Sequence, residues 1–176
     1  EEVVERAAAI RRETGGANPA SHNAPGQTVI SGAREALPPA AARCEDDGAG
    51  LVDLPVSAPF HCALMKPAAD RLAAALESVA VTSPRIPVVR NVDAGLTTTA
   101  EEVKPFLVRQ VASPVRWTDC LARLAREGGD VWLEVGPGRV LAGLLKRTLD
   151  GARGHNVEDA ASLDKAVAAL PGAGAA

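Results

Sequence analysis

The chain has 176 residues, enough for one core or for a small and a medium subdomain together. Its 47% hydrophobic and 23% charged residues are those of a globular protein, and no apolar run approaches the roughly 20 residues of a spanning helix, which excludes a membrane anchor. A net charge of −3 offers no footprint for nucleic acid, and with 2% aromatic residues and no Tyr the core must be built from Ala, Val and Leu.

Glu1, not Met, opens the chain directly in a helical pattern, which reads as a fragment of a longer protein, with no targeting peptide to read. Val3, Ala7 and Ile10 mark one face of that helix, and Gly15-Gly16 ends it. A short strand, a turn at Ala24-Pro25-Gly26 and a second strand through Thr28-Val29-Ile30 follow. Residues 33–47 read as a helix with Pro38-Pro39 in or near its first turn. Val52, Leu54 and Val56 alternate with Asp53, Pro55 and Ser57, the period of a strand with one buried face.

Leu72, Leu76 and Val79 place a helix over about Leu64 to Val79, and Ile86 to Val92 reads as a strand stopped by Asp93-Ala94-Gly95. Thr99 and Glu102 form a capping box ahead of a helix whose apolar stripe is Val103, Phe106, Leu107, Gln110 and Val111; Pro105 implies a kink or a later start. Ser113-Pro114 reads as N-cap and N1 of the next helix, with Trp117, Cys120, Leu121 and Leu124 on one stripe and Gly128-Gly129 closing it. A strand at Val131 to Val135, a tight turn at Gly136-Pro137-Gly138 and a helix from Val140 to Leu149 come next. A polar linker, a helix from Leu163 to Leu170 and a Gly/Ala-rich tail end the chain. Alternating strands and helices predict an α/β architecture.

His61 is the leading catalytic candidate. It follows the strand expected at Leu51 to Ser57 and precedes a helix, where open α/β sheets place functional side chains. An imidazole near neutrality takes a proton from a hydroxyl and returns it to a leaving thiolate, although a lone histidine so placed is more often structural. Gln110 is the second candidate, because a primary amide on an apolar stripe needs hydrogen-bond partners; a core-edge glutamine bonded to backbone is the alternative. Glu134 to Gly138 before a helix suggests a phosphate-cradling loop, but it lacks the spacing of G-x-G-x-x-G and the Lys-Ser/Thr of a P-loop, so it reads mainly as a strand–helix turn beside a cleft. Cys62 beside His61 makes no dyad, since sequence neighbours usually point apart. Cys44, Cys62 and Cys120 form no C-x-x-C pair and read as reduced cytoplasmic thiols, with no metal site. Lys146-Arg147 suits the negative end of its helix. No G-x-S-x-G nucleophile elbow occurs in the 176 residues.

Six segments in order carry a resemblance: Asn23 to Gly32, Leu54 to Met65, Pro87 to Val92, Leu107 to Val111, Ser113 to Trp117 and Glu134 to Gly138. Together they resemble the malonyl-CoA:acyl-carrier-protein transacylase family of fatty-acid synthesis, over a stretch reaching about Leu149. The resemblance implies a serine that attacks malonyl-CoA with help from the histidine matched by His61, and a malonyl-serine ester that passes its acyl group to the phosphopantetheine thiol of acyl carrier protein. It implies that Gln110 offers its backbone carbonyl to that histidine in place of the usual triad acid, and that Phe60 and Asn23 lie on the substrate side. No cofactor is implied beyond the two thioester partners. The family's serine, its oxyanion donors and the arginine gripping the malonyl carboxylate fall upstream of Glu1, so Arg90, Arg109 and Arg116 are not assigned that role. The resemblance implies an α/β fold, part of a hydrolase-like α/β acyltransferase subdomain with an inserted ferredoxin-like α+β subdomain: residues 1–55 the later part of the insertion, 56–150 the larger subdomain, and 151–176 a linker, short helix and tail.

Ser21-His22 ahead of Asn23, Pro38-Pro39 and Pro105 depart from the family's habit. Two rival readings stand beside it. One is the acyltransferase domain of a polyketide synthase, whose relatives carry His-Ala-Phe-His or Tyr-Ala-Ser-His where this chain has Ala58-Pro59-Phe60-His61. The other is a catalytically dead scaffold. The expected setting is the cytoplasm.

Overall fold

The computed structural model describes residues 16–170, so the helix expected over Val3 to Ile10 lies outside the described residues. The chain divides into two compact units, Glu1–Cys120 and Leu121–Ala176.

Among the described residues, the first element of the first unit is the hairpin foreseen around Pro25-Gly26. Strand β1 (Ala17–Ala24) pairs antiparallel with β2 (Gln27–Gly32), and Gly26 turns the chain at φ 71°. A positive φ there suits glycine, which carries no Cβ to clash. A 3₁₀ turn (Arg34–Ala36) leads into α1 (Leu37–Asp46), whose prolines fall in the first turn, where a missing N–H costs nothing. Ala17, Ala36 and Ala40 are buried together, with Ile30, Ala33 and Cys44 packed around them. Such small side chains bring helix and hairpin close, consistent with a composition almost free of aromatics.

Residues 51–56 correct the sequence reading, because they form no strand. Val52 is 83% exposed, and Leu54 and Val56 are also exposed. Alternation marks a segment as competent to pair, but a strand exists only where a neighbour completes its ladder, and Pro55 removes one donor from it. After a second 3₁₀ turn (Ala63–Met65), α2 (Lys66–Glu77) packs against α3 (Ala100–Val111). The strand expected over Ile86 to Val92 shrinks to β3 (Val88–Val89), paired with β4 (Leu96–Thr97) around a turn that holds Ala94 at φ 56°. The capping box forms as foreseen, with the Glu102 carboxylate accepting from the N–H groups of Thr98 and Thr99 at 2.9 and 3.3 Å. The helix starts at Ala100 and runs through Pro105, not after it.

Ser113-Pro114 does not open the next helix. Instead, Val115 donates to Ala20 O at 2.9 Å and accepts from the His22 N–H at 2.8 Å, making a parallel bridge with β1. That extended segment delays α4 to Trp117–Arg126. Cys120 and Leu121 on its expected stripe are buried, and Gly128, at φ 89°, follows its end.

In the second unit β5 (Val131–Val135), α5 (Val140–Thr148) and β6 (Arg153–Val157) form a βαβ unit with parallel strands, and α6 (Ala160–Ala169) packs on β6. Strand β6 replaces the polar linker of the sequence reading. Arg153-Gly154-His155-Asn156 carries no apolar alternation, and the strand is specified by the ladder that β5 offers. Asp159 and Ser162 cap α6 reciprocally, starting it three residues earlier than Leu163. Among the described residues no helix is long and apolar enough to cross a membrane.

Candidate active site

Two tight features place His61. The Phe60 N–H donates to Ala58 O at 2.9 Å, and His61 itself sits at φ 60°, a left-handed conformation uncommon for a residue with a Cβ. The next residue returns to extended backbone as N-cap of the 3₁₀ turn, with Cys62 O accepting from the Met65 N–H at 2.9 Å. This reversal sends adjacent side chains apart. Cys62 is 2% exposed and its Sγ donates to Pro59 O at 3.2 Å, whereas half-buried His61 reaches across to α3.

There His61 Nδ1 lies 3.2 Å from the backbone oxygen of Gln110. Gln110 is in the last turn of α3, where carbonyls lack a full set of intrahelical partners and carry the negative end of the helix dipole. Its oxygen also accepts the N–H groups of Ala112 and, at 3.4 Å, Ser113. A carbonyl can only accept, so the contact is a hydrogen bond when the imidazole proton is on Nδ1. Nε2 then carries the lone pair, and the ring can accept a proton there.

The structure thus brings together His61 and Gln110, through the glutamine's main chain. Phe60 adjoins His61 in sequence and is 46% exposed. Asn23 is taken up within β1, its Oδ1 bonded to Ser21 Oγ. The neighbouring His22 has its Nδ1 3.4 Å from Thr28 Oγ1; burial, the largest influence, lowers its pKa, with Asp119 pulling the other way.

The three arginines all have carboxylate partners. Arg116 Nε is 2.7 Å from Asp119, Arg109 Nη1 3.5 Å from Asp93 Oδ2, and Arg90 Nε 3.0 Å from Asp93 Oδ1. Burial pulls the Asp93 pKa upward. The hydrogen bonds from Arg90 and the Gly95 N–H, with the charges of Arg90 and Arg109, outweigh it, and the net shift is downward.

The loop from Glu134 to Gly138 is a strand–helix turn with its donors already engaged. Glu134 accepts from the Leu141 N–H at 2.9 Å and the Ala142 N–H at 2.7 Å, and Glu158 from the Gly138 N–H at 3.1 Å. Carboxylates of the chain itself fill the place a phosphate would take. The three cysteines are free thiols, and burial raises the Cys120 pKa to about 11. Among the described residues no group of three or more His, Cys, Asp or Glu is placed to hold a metal ion.

Sequence reasoning did not foresee the contact of the Arg90–Asp93 pair with Glu102, Phe106 and Arg109 on α3. The available signal was the spacing of Glu102, Phe106 and Arg109 at i, i+4 and i+7, one face of a helix.

Comparison with known proteins gives a consistent picture. The malonyl CoA-acyl carrier protein transacylase of Haemophilus influenzae is 48% identical over 143 residues, covering 81% of this chain and 46% of the relative. The chain spans about half the length of the curated relatives it matches. The crystal structure of an acyl carrier protein S-malonyltransferase from Vibrio cholerae superposes with a TM-score of 0.88 at 42% identity, over 92% of this chain and 54% of that one. A structure of a type II PKS acyl-carrier protein in complex with its malonyl-transacylase gives a TM-score of 0.86 at 42% identity, over 93% and 53%. The family profile described as "Acyl transferase domain" matches residues 2–169, and the chain belongs to that family.

Proposed function

We propose that the chain supplies the general base of a site that transfers a malonyl group from malonyl-CoA to the phosphopantetheine thiol of acyl carrier protein, through a malonyl-serine ester. The observation that carries this reading is the 3.2 Å contact between His61 Nδ1 and Gln110 O, which leaves Nε2 available as a base. The 176 residues contain no G-x-S-x-G, so the nucleophilic hydroxyl in this scheme comes from outside them, on the same polypeptide or another.

In the first half-reaction Nε2 takes the hydroxyl proton as the oxygen attacks the thioester carbonyl; the carbon–sulfur bond breaks and the imidazolium gives its proton to the departing CoA thiolate. In the second, Nε2 takes the proton of the carrier's thiol as the sulfur attacks the ester carbonyl; the bond from that carbon to the serine oxygen breaks, and the proton passes to the serine oxygen. A neutral carbonyl on Nδ1 orients the ring while stabilising imidazolium less than a carboxylate would, which suits reversible transfer between thiols of similar energy. Phe60 borders the acyl group and Asn23 belongs to the substrate side of the same cleft. No cofactor enters either step. Residues 1–55 then serve as the later part of the inserted subdomain, and 56–150 as part of the larger one.

The test uses the intact enzyme, meaning these residues together with the portion that bears the nucleophile. His61→Ala should lower transfer of labelled malonate to carrier protein by about 10²–10⁴. A folded variant with near-normal turnover overturns the assignment.

A further inference from the structure

Glu102, Phe106 and Arg109 all converge on the β3–β4 turn, and Arg90 is at the centre of that contact. Its side chain is only 14% exposed. Nη1 donates to Leu96 O at 2.5 Å and lies 3.4 Å from Thr97 Oγ1 and 3.5 Å from Glu102 Oε1, while the guanidinium stacks 3.7 Å above the Phe106 ring. Nε holds Asp93, whose other oxygen faces Arg109, the residue before Gln110. The backbone of Arg90 is fixed as well, its carbonyl accepting from Cys120 Sγ at 3.2 Å. One planar cation therefore grips α3 at two successive turns, and its carboxylate partner grips the third. The grip straddles Pro105, which has no N–H to give the carbonyl of Glu101, so α3 is weakest internally where it is held from outside.

Resting on the reading of His61 as the base, we propose that Arg90 is a positioning residue: by fixing α3 it sets the Gln110 carbonyl against His61 and so selects the imidazole tautomer with the proton on Nδ1. If the last turn of α3 shifts, the ring loses the acceptor that holds that tautomer. Protonation then moves to Nε2, the atom that must accept the substrate's proton.

The test compares wild type, Arg90→Ala and Gly95→Ala in the intact enzyme. A Cβ on Gly95 would collide with Arg90 Nη2 and lie 2.8 Å from its Cζ, so Gly95→Ala displaces the guanidinium while deleting no side chain. It serves where Arg90→Ala fails to fold. Nitrogen-15 spectra of the His61 ring report the tautomer, and steady-state kinetics report kcat and KM. The expected result is an Nδ1–H ring in wild type, a shift to Nε2–H in the variants, and a fall in kcat of about ten- to a hundredfold with KM changed less than about twofold. An Nε2–H ring in wild type overturns the proposal, and so do variants that keep Nδ1–H, whether or not kcat falls. His61→Ala in the same assay tests the underlying reading alone: activity in that variant removes the base, whereas an inactive His61→Ala beside variants that keep Nδ1–H removes only the role of Arg90.

Discussion

Helix α5 has a cap drawn from the preceding strand, and removing it gives a measurable cost. Arg139 occupies the N-cap position but makes no side-chain cap hydrogen bond. Glu134, five residues earlier at the end of β5, accepts instead from the N–H groups of Leu141 and Ala142 at 2.9 and 2.7 Å. Glu134→Ala leaves both donors unmatched. Leu141 is 41% exposed and water can reach it; the Ala142 donor is less accessible. The loss should be that of an N-cap, about 1–1.5 kcal/mol, with about 0.5 kcal/mol more for a carboxylate removed from the positive end of a helix. Glu134→Gln keeps one acceptor and should cost about half as much. Calorimetry of the intact enzyme should show a fall in Tm of about 3–8 °C for Ala, at about 2–4 °C per kcal/mol. Hydrogen exchange at Leu141 and Ala142 should quicken with it. An Ala variant within about 0.3 kcal/mol of wild type, or a Gln variant as damaged as Ala, would refute the idea that the carboxylate serves as the cap.

Phe60→Ser should relax discrimination between malonyl-CoA and methylmalonyl-CoA, since one methyl in an apolar pocket is worth about 1–3 kcal/mol, or ten- to two-hundredfold in kcat/KM; competition between the two esters decides it, and an unchanged ratio removes Phe60 from the pocket. Leu121→Ala, at a position 2% exposed, should destabilise by about 2–5 kcal/mol in denaturant unfolding. Asp93, whose pKa is lowered on folding, contributes stability that is present above its ordinary value of 3.8 and is lost as pH falls through the lower folded value. Asp93→Asn should therefore unfold less steeply with acid below about pH 4 than wild type, and identical acid profiles would show that the Arg90 pair contributes nothing there.

Elements that carry their own local signal were legible. Pro25-Gly26 turns the first hairpin through chemistry confined to two residues, Thr99 and Glu102 start α3 by reaching each other's backbone, and Gly128 follows the end of α4. Segments that depend on a partner were not. Residues 51–56 alternate like a strand and form none, while Arg153 to Val157 show no pattern and form one, because a ladder is completed by a neighbour that periodicity does not encode. Val115 belongs to the same class, since β1 draws it into a bridge that the Ser113-Pro114 signal gives no hint of. At the site, His61 was identifiable as a residue, but its left-handed backbone was not. Its contact with Gln110 is made by a carbonyl, a group every residue has. Side-chain type therefore says nothing about it, and only the family resemblance pointed there.

The backbone at His61 has a consequence for how that position can be probed. At φ 60° the conformation is easiest for glycine, and asparagine, aspartate and histidine enter it more readily than other residues with a Cβ. Replacing His61 by alanine removes the imidazole and also asks a less tolerant residue to hold the same turn, so part of any loss is geometric. Asparagine deletes the titrating ring and keeps a side chain suited to the conformation; glycine deletes the ring and relieves the turn. Three substitutions at one site thus separate the proton's contribution from the loop's. If activity vanishes equally in all three while stability follows the order glycine, asparagine, alanine, the turn's cost and the ring's chemistry are independent properties of one residue.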